Sequence, residues 1–180
     1  MNTEPMSELR AAAIEDDGSC DVDALLARLA GRLRQGGRRV RGLIMVHPGE
    51  VRTCATPMVL VDLDTARQYL VSQPLGRDST SCRADPGGFA QASEVLRRAA
   101  TEAPDLVICN RFGGLEAEGG GFRSELIDIL AADLPLLTVV ATRHILAWQS
   151  FTGGAKVLPA RESAAQAWVD RVLGAPGIST

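Results

Sequence analysis

Short apolar runs of strand length alternate with amphipathic helical segments along most of this chain, and that alternation leaves few folds open. The runs cover residues 10–14, 40–46, 106–109, 136–141 and 156–158. After the first, Val22, Leu25, Leu26, Leu29 and Leu33 recur at the spacing of a helix lying on a sheet. Asp21 suits its N-cap, and Gly36-Gly37 end it. Ala92, Val95, Leu96 and Ala99 predict a buried helix face within 89–102, and Leu126, Ile127 and Leu130 another within 122–132. A last helix is expected over 162–173, and a short helix or turn over 144–151. Strands that alternate with helices in this way predict a three-layer α/β fold with a mainly parallel sheet, its crossovers right-handed. One stretch breaks the rhythm. Residues 58–62 read as a strand and 63–71 as its antiparallel return, although 65–70 also suit a helix; 72–83 read as a polar connection.

The length of 180 residues fits one domain, expected over 10–175 behind a loosely held tail at 1–9. A formal net charge of -3 gives no bulk attraction to nucleic acid or to an anionic membrane. No apolar run approaches the ~18 residues that span a bilayer, and the N-terminus lacks the basic start and apolar core of a secretion signal. The four cysteines, Cys20, Cys54, Cys82 and Cys109, form no C-x-x-C pair. Reduced thiols in a cytoplasmic protein are therefore expected, and no ligand spacing supports a zinc site with His47 and His144.

In an open α/β sheet, ligands bind just past the carboxyl ends of the strands. Here that edge holds Asn110, Arg111, Gly113, Glu116, Glu118, Gly121 and Arg123, within a stretch rich in glycine. Glycine loops can turn backbone amides inward as anion-binding nests. Arg123, in the first turn of a helix, opposes the helix dipole unless it has a partner. Two readings stand: Arg111 and Arg123 pair with Glu116 and Glu118 to brace the loop, or they hold a phosphate-like oxyanion or nucleotide phosphate. The first strand-to-helix loop, 15–21, has opposite character. It offers Gly18 and Ser19 but no lysine, and it carries Glu15, Asp16, Asp17 and Asp21. A solvated loop with an acidic cap, a divalent-cation site on those carboxylates, and an unconventional nucleotide loop are its three readings. Glu50 and Arg52 are expected to be exposed ion-pair residues. His144 and Trp148 read as a half-buried surface pair, with base stacking as the alternative. Cys109 reads as an inert core thiol.

The order of several short segments resembles a known family. Glu50-Val-Arg52, Val61-Asp-Leu63, Gly88-Phe89, Asn110-Arg-Phe-Gly-Gly-Leu-Glu116 and Gly121-Phe-Arg123 follow the order of the small cancer-related P-loop nucleoside-triphosphatases. The form of residues 110–123 is closer to a bacterial family related to those enzymes, whose members often occur alongside molybdate-transport proteins. The resemblance implies a P-loop-NTPase-like fold with an antiparallel extension and a connection with molybdenum. It also marks departures. The glycines and lysine of the phosphate loop are missing from 15–21, and the acidic pair of the NTPase signature is replaced by Asn110 and Arg111, while Glu116 matches. The expected function is therefore non-hydrolytic binding or regulation, with an oxyanion such as molybdate, or a nucleotide, held by the strand-end residues together with Gly18 and Ser19. The alternatives are a residual nucleoside-triphosphatase using Glu116 or Glu118 with a divalent ion, and an interaction module, such as a homodimer, with no small ligand.

Overall fold

A computed structural model describes residues 9–47, 56–74 and 82–174. The chain runs β1 (Ala11–Asp16), α1 (Val22–Gln35), β2 (Val40–Val46), β3 (Val59–Asp62), β4 (Gln68–Leu70), β5 (Ser72–Pro74) and β6 (Cys82–Ala84). It continues with α2 (Pro86–Glu102), β7 (Leu106–Phe112), α3 (Gly114–Ala117), α4 (Arg123–Ala131) and β8 (Leu136–Ala141). A 3-10 turn (Thr142–His144), α5 (Ile145–Thr152), β9 (Lys156–Leu158) and α6 (Glu162–Leu173) complete it. Seven strands form one sheet in the order β4-β3-β2-β7-β8-β1-β9, and β5 and β6 form a separate ribbon. Pairings among β2, β7, β8, β1 and β9 are parallel; β3 and β4 add antiparallel partners at one edge. The mainly parallel α/β sheet and its hairpin extension are thus as expected, and 65–70 form a turn and strand rather than a helix.

The sheet is buried on both faces. One core packs Leu26, Leu29, Ile108, Val139 and Trp168 beneath α1 and α6. The other packs Val95, Leu96, Phe112, Leu126 and Trp148 beneath α2, α4 and α5. Central strands covered on both sides read as continuous apolar runs, as β7 and β8 do. Three local expectations are corrected. The strand predicted to end at Cys109 continues to Phe112, with a register shift against β8 between Cys109 and Phe112, so Asn110 and Arg111 belong to the strand. Helix α2 starts at Pro86, ahead of Phe89, because Pro86 occupies its first turn and the Asp85 carboxylate accepts from the Gly87 amide. On α4 the inward stripe is Phe122, Leu126 and Ile129, a spacing of four and three; Ile127 is 49% exposed and Leu130 only half-buried. Glu50, Arg52 and Cys54 lie outside the described residues.

Gly42 sets the spacing of β2 and β7. Its φ is +119°, and a Cβ there would overlap the Ile108 carbonyl oxygen. Gly42→Ala is expected to cost about 2 kcal/mol or more through forced separation of the pair. Gly31 in α1 meets nothing within 4 Å, so Gly31→Ala should gain up to ~1 kcal/mol. Urea midpoints that move in the same direction for both variants would contradict this account of the β2–β7 contact.

Candidate functional site

The carboxyl ends of β2, β7, β8 and β1 face the N-terminus of α1, and one cation crosses between them. Arg111, near the end of β7, reaches over the end of β8. Its Nη1 donates to Asp16 Oδ2 at 2.9 Å, and its Nη2 donates to Asp23 Oδ1 at 3.0 Å. Asp16 closes β1, and Asp23 lies in the first turn of α1 with 3% of its side chain exposed. Asp23 also accepts from Asn110 Nδ2 at 2.8 Å, and His47 Nε2, just past β2, lies 2.8 Å from its second oxygen. Three elements, α1, β7 and the end of β2, therefore meet at the Asp23 carboxylate, and Arg111 ties β1 to them.

The electrostatics follow from that convergence. Burial alone would push the Asp23 carboxyl up, but Arg111, Asn110 and His47 outweigh it and hold it below the usual 3.8. Burial likewise works against the Arg111 charge, and Asp23 and Asp16 more than offset it, raising its affinity for the proton. With Asp23 ionised, Asn110 must present its NH2 to it. The Asn110 carbonyl oxygen is then buried and finds no donor among the described residues.

The glycine loop is closed on itself. The Glu116 carboxylate, 3% exposed, accepts from the Gly113 amide at 2.9 Å and from the Phe122 amide at 3.0 Å. The nest predicted for an external anion thus holds the chain's own carboxylate. Gly121, at φ +55°, lies so close that a Cβ would overlap Glu116 Oε1. Arg123 turns away from the helix end: Nη1 donates to the Glu116 carbonyl oxygen at 3.0 Å, and the guanidinium stacks 4.6 Å from the Phe151 ring centroid. Glu118 is exposed. The expected pairing with Glu116 and Glu118 is corrected: Arg111 pairs across the sheet with Asp16 and Asp23, and Arg123 bonds a carbonyl. Burial, Glu116 and Glu125 push the Cys109 thiol well above its usual range, in keeping with an inert core thiol.

Gly18 and Ser19 stand apart from this cluster. Both are exposed, and the Ser19 amide donates to Asp17 Oδ1 at 2.9 Å. Glu15 accepts from the Thr142 hydroxyl at 2.8 Å, and Asp21 caps α1 at the Ala24 amide. Among the described residues no group of three or more His, Cys, Asp or Glu converges as metal ligands, so the divalent-cation reading of 15–21 has no ligand set. Trp148 is fully buried and meets Phe112 edge-on at 5.4 Å, which removes the surface-pair and base-stacking readings. Asp23 and His47 are the residues that sequence reasoning missed as a pair. The available signal was a second acid two positions after the cap, on the sheet-facing side of α1.

On the other face of β7, beneath α2 and α3, lies a cavity of about 310 Å³. Asn110 and Arg111 of β7, Gly113, Glu116 of α3, and Arg143 and His144 of the 3-10 turn are among its lining residues. A family model described as "Protein of unknown function (DUF2478)" matches residues 11–168. The chain belongs to the DUF2478 family. It is 38% identical over 145 residues to a Molybdenum import ATP-binding protein ModC 2 of Bradyrhizobium diazoefficiens, a match covering 81% of this chain. The chain spans 16% of the length of that relative. In structure it matches the solution structure of a human cancer-related nucleoside triphosphatase, with a TM-score of 0.63 and 17% identity over 91% of this chain and 95% of the other. At that identity the likeness is one of fold, and the DUF2478 chain has a P-loop-NTPase-like fold. No helix among the described residues is long and apolar enough to cross a membrane.

Removing one member of a buried ion pair leaves the other charge uncompensated. Arg111→Ala should therefore cost about 3 kcal/mol, and Arg111→Lys should recover less than half, because an ammonium cannot reach both carboxylates with the same fork. The Asp23 contribution is complete above pH 3.8 and is lost as pH falls through its depressed folded value. Urea midpoints should fall below that pH in the wild type and fall less steeply in Asp23→Asn. Parallel pH profiles for the two proteins would contradict the assignment.

Proposed function

We propose that this chain is a non-hydrolytic binding or regulatory protein on a P-loop-NTPase-like scaffold, taking an oxyanion or a nucleotide at the carboxyl end of β7. The observation that carries the reading is the Arg111 guanidinium bonded to both Asp16 and Asp23. Phosphoryl transfer depends on a metal and a lysine that neutralise charge developing on the phosphates. Here a resident cation from β7 and an acid from α1 neutralise each other across the strand ends. The loop before α1 brings no lysine; the single lysine of the chain, Lys156, is on β9. Without a lysine in residues 15–21, the reading of binding without hydrolysis is supported. Binding has a place to occur, because the cavity opens beside Arg111 and Gly113.

The similarity to a molybdenum-import ATP-binding protein supports a role tied to molybdate uptake. In this reading the chain senses or presents a ligand for such a system rather than powering it. Calorimetric titration with molybdate, tungstate, sulfate, ATP and GTP should show binding by at least one. A phosphate-release assay with magnesium should show no turnover above the protein-free rate. Steady release that is lost in Glu116→Gln or Glu118→Gln would replace this reading with a residual triphosphatase.

A further inference from the structure

We propose that the cavity between β7, β3 and α2 takes the ring of a nucleoside monophosphate, with the phosphate held at its mouth by Arg143. This rests on the reading above that the β7 edge holds a ligand, and it selects the nucleotide over the bare oxyanion. The walls decide first. Met45, Met58, Leu60, Phe89, Phe112 and Phe122 line the space. Phe89 and Phe122 stand 5.0 Å apart at a tilt of 43°. An anion the size of molybdate would lose its hydration against these side chains and gain no partner. A flat heterocycle replaces water there at no such cost and contacts aromatic rings and polarisable sulfur. The volume of about 310 Å³ lies at the small end of ligand pockets, which run from roughly 300 to 1,000 Å³.

Charge decides the rest. Arg111 is neutralised by Asp16 and Asp23, Arg123 is committed to Phe151 and a carbonyl, and Glu116 is satisfied by two amides. Arg143 is exposed and pairs with no carboxylate among the described residues. Its Nε donates to His144 Nε2 at 3.2 Å, so that imidazole nitrogen acts as acceptor. One arginine suits one phosphate monoester of about −1.5 to −2 charge. A triphosphate asks for a lysine beside its phosphates, and residues 15–21 hold none.

The test titrates the full chain, without magnesium, with the four common nucleoside 5′-monophosphates, their nucleosides, inorganic phosphate and molybdate. At least one monophosphate should bind about tenfold or more tightly than its nucleoside and than either inorganic anion. Arg143→Ala should weaken that monophosphate about tenfold and leave its nucleoside unchanged, a split that a merely structural role would not produce. Met58→Trp, which fills the cavity, should abolish binding of both. If Met58→Trp fails to fold, amide chemical shifts of the wild type decide: movement at residues 112–115 supports the site, and movement confined to 17–21 overturns it. Molybdate binding as tightly as any monophosphate and surviving Met58→Trp would overturn the ring site and leave the wider binding reading standing. Binding by none of these ligands would overturn the ring site, and the wider binding reading falls with it only if tungstate, sulfate, ATP and GTP also fail to bind.

Discussion

The ion pair of Arg111 with Asp16 and Asp23 is the contact on which the carboxyl edge of this sheet depends. Three charged groups from β7, β1 and α1 are brought together where strands end and a helix begins. A buried charge is costly unless paired and hydrogen-bonded. Asp23 is 3% exposed and has Arg111, Asn110 and His47 as partners. The interaction also ties chain segments far apart in sequence, since residues 16, 23, 47, 110 and 111 all converge on it. Such a pair adds modest net stability over an apolar equivalent, but removing one member is severe. It fixes which way the end of β7 faces more than it raises the total.

The same logic governs the glycine loop. A nest of amides attracts an anion, and the chain supplies Glu116. Gly121 keeps the space that this carboxylate needs. Arg123 is then free to lie on Phe151 and to satisfy a carbonyl, despite its poor position with respect to the helix dipole. Positive and negative groups that read as ligand donors in sequence are mostly spent on one another. Among the described residues, Arg143 is the arginine lining the cavity that no carboxylate claims.

Much of the architecture was legible because it rests on periodicity. Val22, Leu25, Leu26, Leu29 and Leu33 appear on one face of α1 as the spacing required, and all are buried. The β3–β4 return was legible from two short runs with a turn between them. The end of β7 was not, because Asn110 and Arg111 are polar, and a polar residue in a central strand is favourable only with partners that lie 87 to 95 positions away. The pairing of Arg111 with Asp16 and Asp23 was hidden for the same reason: local spacing names Glu116 and Glu118 as its neighbours, whereas strand order places β1 and α1 beside it. Ile127 was misassigned because the inward stripe of α4 runs through Phe122, Leu126 and Ile129, which turns the Ile127 side of the helix to solvent.

Charge pairing across the strand ends is compatible with the frame of a P-loop-NTPase-like fold. In hydrolytic members of such folds the helix after the first strand supplies a cation, and a neighbouring strand supplies the acid that holds a metal. Here α1 supplies the acid, Asp23, and β7 the cation, Arg111. The frame keeps a neutral pair at this point, so packing of β1, β7, β8 and α1 needs no change. The pair leaves no surplus positive charge at this point. A single reversal would unbalance it: Asp23→Lys would set two cations together beside Asp16, and Arg111→Asp would set three acids together. Either exchange alone leaves unpaired charge in a largely buried place, costly by several kcal/mol. That barrier is a physical reason for the two members of the pair to change together or not at all.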